Sequence, residues 1–192
     1  MGRIVISTNA SLDGVVQDPA GDEGFRLGGW FNRSEPADLK AWAEVSLGEA
    51  MATEALLMGR RTDEWFAPRW TTREGEWADR LNGLPKYVVS TSPAPALWAN
   101  STVLTGDLAG EVTALKAKVA GDIVVYASYR LGQALLAADL VDEMRLVIFP
   151  VVVGGGRRLF GETGEPKPMQ LTGRQTVGDN LVLMTYRPVR GG

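Results

Sequence analysis

The chain has 192 residues, 45% hydrophobic and 22% charged, with a net charge of −3 and neither Cys nor His. Thiolate nucleophiles, Ser-His-Asp triads and zinc sites built on thiolate or imidazole are therefore excluded. No apolar run approaches the roughly 20 residues that span a bilayer, and the acidic balance gives no general attraction to nucleic acid or anionic lipid.

These totals predict one domain over 1–192, in the cytoplasm, with no membrane or nucleic-acid partner and no metal. Enzyme chemistry in such a chain rests on a cofactor, with the protein supplying orientation and electrostatics. Short apolar runs alternate with amphipathic stretches, the pattern of an α/β fold. Arg3 to Ala10 reads as the first strand. Ser11-Leu12-Asp13-Gly14 turns it into a loop running to about Ser34, and loops of that length are often lids or binding loops. Ser34 and Pro36 start a helix with Leu39, Trp42, Val45 and Met51 on one face.

Ala55 to Met58 is the next strand and stops at Gly59. Thr62 is a natural N-cap for the helix that Asp63, Glu64 and Trp65 open. Tyr87-Val88-Val89 and Thr102-Val103-Leu104 are further strands. Asp107 caps a helix carrying Leu108, Val112, Leu115 and Val119, closed by Gly121. Ile123 to Tyr126 is a strand passing through Ala127-Ser128 into a helix with Leu131, Leu135 and Leu136. Met144 to Val153 reads as one long strand broken by Gly154-Gly155-Gly156. Residues 170–177 and 181–187 then form a hairpin around Gly178-Asp179-Asn180. The expected sheet is mostly parallel and ends in this antiparallel hairpin.

In an open α/β sheet, ligands sit beyond the carboxyl ends of the strands. Three such ends carry small, hydroxyl or basic residues: Gly59-Arg60-Arg61-Thr62, Ser90-Thr91-Ser92 and Ala127-Ser128-Tyr129-Arg130. A strand–glycine–helix turn offers free N–H groups at the positive end of a helix, and arginine adds a planar fork for phosphate oxygens. Ser90-Thr91-Ser92 has no acid for a ribose hydroxyl, which favours NADP over NAD. Each segment alone also fits ordinary turn chemistry.

Ser11-Leu12-Asp13-Gly14, Leu56-Leu57-Met58-Gly59-Arg60-Arg61-Thr62, and Leu140-Val141-Asp142-Glu143 running into Pro150-Val151-Val152-Val153-Gly154 resemble, in that order, the dihydrofolate reductase-like family. Within it, they are most similar to the C-terminal reductase domain of bacterial riboflavin biosynthesis enzymes, from Arg3 to about Arg187. The resemblance implies a three-layer αβα fold, NADPH as cofactor, a small-molecule substrate and a homodimer. It also implies that Gly59, Arg60, Arg61 and Thr62 hold cofactor phosphates. Ser90, Thr91 and Ser92 would face the 2′-phosphate. Ala127, Ser128, Arg130 and Leu131 would back the pyrophosphate and nicotinamide, and Ala10 borders the same site. The family usually has Gly-Gly or Gly-Ser where this chain has Ala127-Ser128, a turn at which backbone approaches the cofactor closely.

Two acids are the catalytic candidates. Asp13 either meets substrate as a hydrogen-bonding or proton-donating group or simply forms an Asp-Gly turn. Asp38 resembles the substrate-binding acid of true dihydrofolate reductases, although it lies several residues too far before Gly59. It equally suits a helix start as a dipole-complementing residue. Gly154-Gly155-Gly156-Arg157-Arg158 offers a cradle for a substrate phosphate or a sharp strand exit. Trp30, Phe31, Trp65, Phe66 and Trp70 either wall a pocket for a flat heterocycle or pack in the core. The implied activity is hydride transfer from NADPH to a planar heterocycle or conjugated C=N or C=O group. A reductase of 5-amino-6-(5-phosphoribosylamino)uracil type is one such enzyme. A nucleotide-binding protein without turnover and a dihydrofolate reductase are the alternatives.

Overall fold

The computed structural model describes residues 1–161 and 165–189, so 162–164 and 190–192 of the expected domain lie outside the described residues. In chain order the elements are β1 (Arg3–Ser11), a short 3-10 turn (Phe31–Arg33), α1 (Pro36–Ala52), β2 (Thr53–Gly59), α2 (Arg60–Trp70), α3 (Glu76–Gly83) and β3 (Lys86–Val89). They continue with β4 (Ser101–Leu104), α4 (Leu108–Lys118), β5 (Asp122–Tyr126), α5 (Tyr129–Ala137), β6 (Glu143–Phe149), β7 (Met169–Val177) and β8 (Leu181–Pro188). The strands form one mixed sheet in the order β4-β3-β2-β5-β1-β6-β8-β7. The chain divides into two compact units, Met1–Ile6 with Leu47–Asp142 and Ser7–Ser46 with Glu143–Gly192.

In the first unit β2 runs parallel to both β3 and β5, and β3 runs parallel to β4. Leu56, Leu57 and Met58 are all buried, as a parallel strand covered on both faces requires. Leu56 and Met58 share a core cluster with Val88, Trp98, Val124, Trp70 and Leu81. Asp142, within the Leu140-Val141-Asp142-Glu143 motif, has a structural role here. Asp142 Oδ2 accepts the Ile4 N–H at 2.8 Å and pairs with Lys116 Nζ at 2.5 Å, tying the end of the unit to β1 and α4.

The second unit is built on the antiparallel ladder of β6, β8 and β7. Trp30, Phe149, Val177 and Leu181 form its core, with Leu39, Trp42 and Val45 of α1 packed against it. Trp30 meets Phe149 edge to face at 5.6 Å. Trp30, Phe31 and Trp42 thus serve packing.

Several boundaries differ from the sequence reading. β6 ends at Phe149 rather than Val153, because Pro150 has no N–H to continue a ladder. Met51, in the last turn of α1, is exposed. α2 starts at Arg60 with Gly59 as its N-cap, so Thr62 lies inside the helix. α4 ends at Lys118 with Val119 as the C-cap, before Gly121. No sequence pattern announces α3, because only Ala78 and Leu81 of its eight residues are buried. The helix is held by Arg80, whose guanidinium donates to the Ala50 and Thr53 carbonyls.

Candidate functional site

β2 and β5 each end in a turn that opens a helix, and one hydroxyl joins the two turns. Ser128 Oγ accepts the Gly59 N–H at 3.1 Å and donates to Thr62 Oγ1 at 2.8 Å. Gly59 caps α2 and Ser128 caps α5, yet neither makes a side-chain bond to its own helix. The opening N–H groups of a helix have no acceptor within the helix itself and stand at the positive end of its dipole. By contrast, α4 closes its own start, where Asp107 accepts the Gly110 N–H. A Cβ built on Gly59 would meet nothing within 4 Å, so open space lies over this turn. An anionic ligand fits such a place.

Ala127 and Ser128 both adopt left-handed backbone, with φ of 49° and 43°. For residues other than glycine this costs about 1–2 kcal/mol each. That is the physical meaning of the departure from Gly-Gly: the chain keeps the turn and bears the strain. Backbone strain of this kind clusters at functional sites. Arg61, Ala127 and Arg130 are exposed, and Arg130 Nε donates to the Tyr129 hydroxyl at 3.0 Å. Leu131 is buried at 8% exposure, so its side chain serves the core and only its backbone N–H belongs to the helix start.

The third strand end is organised by α2. Arg60 Nε donates to Ser90 Oγ at 3.3 Å, and its terminal nitrogens donate to the carbonyls of Ser92, Ala94 and Pro95 at 3.3, 2.6 and 2.7 Å. Asp63, three residues on and fully buried, accepts the N–H groups of Leu97 and Trp98 at 2.7 and 3.0 Å. One face of the first turn of α2 therefore satisfies carbonyls with an arginine and amides with an aspartate. The sequence reading takes Asp63 only as a residue that opens the helix, because an acid in a first helical turn already has a dipole reason to exist. Its spacing of three from Arg60 was the available signal. The aromatic residues Trp65, Phe66 and Trp98 pack on one another, with Arg69 stacked 3.9 Å over Trp65.

Both candidate acids lie in the second unit and both are engaged. Asp13 Oδ1 accepts from Ser11 Oγ at 2.7 Å and the Val153 N–H at 3.0 Å, and Oδ2 accepts the Gly154 N–H at 2.9 Å. These bonds, Ser11's above all, hold its pKa down to about 2. A carboxyl so acidic has no proton to give near neutrality. The Gly154 turn, for which the sequence leaves open a phosphate cradle or a sharp strand exit, presents that N–H to Asp13, so two separate sequence candidates satisfy each other. Because the folded-state pKa lies below the ordinary 3.8, the carboxylate favours folding above about pH 4 and loses that contribution as pH falls toward 2. Asp13→Asn is expected to flatten the loss of melting temperature over this acid range. An unchanged acid limb would show that the bonds carry no net stability.

Asp38 is 2% exposed. It accepts the N–H groups of Asp179 and Asn180 and the Asn180 side-chain amide, at 2.7, 3.2 and 2.9 Å. The Asn180 amide is the main cause of its lowered pKa. Asp38 thus pins the β7–β8 turn to the start of α1, and none of its bonds points to a substrate role. The long loop before α1 is likewise tied down. Buried Asp18 accepts the N–H groups of Gly21, Glu23 and Phe25, and Trp30 Nε1 donates to the Gln17 carbonyl. Val15 bridges to Arg158, and Arg157 N–H meets Gln17 Oε1 at 3.0 Å. Ala10 is buried near the end of β1.

The mixed sheet, parallel in its first strands and closed by antiparallel C-terminal ones, with its helices, is an α/β fold of the dihydrofolate reductase type. Residues 3–183 match the RibD C-terminal domain. The uncharacterized protein YyaP of Bacillus subtilis (strain 168) is 31% identical over 142 residues, 69% of this chain and 73% of that protein. A putative riboflavin biosynthesis protein from Shewanella sp. PV-4 superposes with a TM-score of 0.72 at 22% identity, covering 98% of this chain and 99% of that one. Dihydrofolate reductase from Enterococcus faecalis, solved with NADP(H) and RAB-propyl, gives a TM-score of 0.56 at 16% identity, covering 97% and 96%. The chain belongs to the RibD C-terminal domain family, a reductase family of dihydrofolate reductase-like fold.

Proposed function

We propose that this chain is an NADPH-dependent oxidoreductase that reduces a small planar heterocycle or a conjugated C=N or C=O group. The observation that carries the reading is the pair of uncapped helix starts, α2 and α5, joined through Ser128 beneath open space at Gly59. NADPH, when bound, supplies a hydride. The N–H groups of the two helix starts would hold its diphosphate, with Arg61 adding exposed positive charge. Ser90 and Thr91, with no carboxylate in the turn to repel an anion, would take the 2′-phosphate. Family likeness supports a reductase, and an aminopyrimidine phosphate is the substrate class closest to it. Protonation is assigned to solvent, because Asp13 is ionised and Asp38 is fully bonded.

That engagement of both acids also favours a second reading, a nucleotide-binding protein without turnover. The two are separated by titrating the protein with NADPH while following tryptophan fluorescence, then following NADPH oxidation with reducible pyrimidines, pterins and dihydrofolate. Quenching with turnover is expected. Binding without oxidation across that panel would favour the second reading, and absence of binding would remove both. The homodimer implied by the resemblance and the cytoplasmic location expected from the sequence totals are part of the same proposal. No helix among the described residues is long and apolar enough to cross a membrane.

A further inference from the structure

We propose that Asn9 is a specificity-determining residue that reads the substrate through its carboxamide N–H groups. The ring it takes is one that offers a carbonyl oxygen or a bare ring nitrogen there, rather than an amino group. The inference rests on the reading of the chain as a reductase of planar heterocycles and names the chemistry of the ring.

β1 is a central strand, lying between β5 and β6 in the sheet. A strand covered on both faces reads as an apolar run, and Ile4, Val5, Ile6 and Ala10 are buried accordingly. Ser7, Thr8 and Asn9 break that run, and all three are half-buried. Asparagine is depleted in strands, and a local conflict of this kind is expected where a residue serves function. Asn9 also stands just before the carboxyl end of β1 at Ser11, the end at which open α/β sheets take ligands.

One bond fixes how the carboxamide is turned. Trp42 Nε1 meets Asn9 Oδ1 at 2.9 Å. An indole N–H can only donate, so the atom facing it is the amide oxygen and the NH2 group points away. Trp42 is itself held edge to face against Phe31 at 4.8 Å and packed on the core of its unit. Asn9 Nδ2 has no partner among the described residues, and neither has the Ser7 hydroxyl on the same face of the strand. Asp13 and Asp38, the acids of the same unit, are engaged with amides and neighbouring side chains. The row on β1 therefore offers oriented amide donors and a hydroxyl, with no carboxylate among them. A ring carbonyl or unprotonated ring nitrogen gains hydrogen bonds from such donors, whereas an exocyclic amino group sets donor against donor.

Lumazine and 2,4-diaminopteridine separate the two cases, because they share a fused ring and carry oxygens or amino groups at the same positions. Their dissociation constants are measured by equilibrium dialysis for the natural chain and for Asn9→Asp. The carboxylate of that variant still accepts the Trp42 N–H but puts an acceptor where the donors were. The natural chain is expected to hold lumazine about tenfold more tightly than the diamino ring, and Asn9→Asp to reverse the order. NADPH affinity, followed by tryptophan fluorescence, should be alike in the two. An unreversed order, equal weakening of both pteridines, or a natural chain that binds neither would each overturn the assignment. Trp42→Phe decides the matter should the aspartate variant unfold. It keeps an aromatic ring but removes the N–H that orients the amide, so the preference should narrow by about threefold. An unchanged preference there would also overturn the assignment. A natural chain that discriminates the pteridines without binding NADPH would remove the reductase reading and leave Asn9 as the reader of a bound ring. NADPH binding without that discrimination removes the Asn9 assignment alone.

Discussion

Replacing Gly178 by alanine is expected to destabilise the protein by about 3 kcal/mol or more, through two mechanisms acting together. The residue has a φ of +63°, where an alanine costs about 1–2 kcal/mol. An added Cβ would also overlap Asp38 Oδ1 and come within 2.8 Å of Asp38 Cα, and overpacking of that kind costs about 1–3 kcal/mol. The overlap falls on the carboxylate that holds the β7–β8 turn, so the strain cannot relax without loosening the Asp179 and Asn180 amides. For a domain of this size the melting temperature should drop by roughly 6–12 °C. Gly14→Ala is the control. Its φ is +77° but nothing lies within 4 Å of its added Cβ, so only the backbone cost of about 1–2 kcal/mol is expected. Equal losses in the two variants, measured by denaturant unfolding, would show that contact with Asp38 is unimportant.

Lys86 should make the protein more stable as pH rises from about 8 toward the ordinary lysine value of 10.5. Its side chain is fully buried, its Nζ donates to the Asn82 and Leu84 carbonyls at 2.9 and 2.8 Å, and it sits 4.6 Å from the Trp98 ring. Burial lowers its pKa to about 8, against a smaller opposing attraction from Asp63. Between those two pH values the unfolded chain holds a proton that the folded chain has released. Unfolding therefore becomes harder as pH rises, with the full contribution present above pH 10.5 and absent below pH 8. The size is about 3 kcal/mol. Lys86→Met removes the group while keeping most of its volume. The difference in unfolding free energy between the variant and the natural chain, followed over this alkaline range, should change by about that amount. A constant difference would place the folded lysine at its ordinary pKa.

Most of the strands and helices were readable because their cause is local. Alternation of apolar runs with amphipathic stretches, Asp107 as a cap, and the glycine-centred turn at 178–180 all act within a few residues of where they stand. The same locality explains the failures. Pro150 interrupts a ladder that the apolar run through Val153 would otherwise continue. α3 depends on Arg80 reaching the Ala50 and Thr53 carbonyls, about 30 residues away in sequence.

The sequence by itself determined the α/β class, the three strand ends that bring glycine, hydroxyl and basic residues together, and the absence of any thiol or imidazole chemistry. Only the tertiary structure decided what each polar side chain does there. Asp13 and the Gly154 turn, read as two candidates, bond to each other across about 140 residues. Asp38 holds a hairpin, and Arg60 gathers the carbonyls of a loop more than 30 residues on. The physical reason is that a side chain's type fixes which bonds it can form, while its partners are fixed by whichever distant backbone groups the packed core brings within reach. A carboxylate or guanidinium that looks free in the sequence is therefore a site residue only if the fold leaves its bonds unfilled.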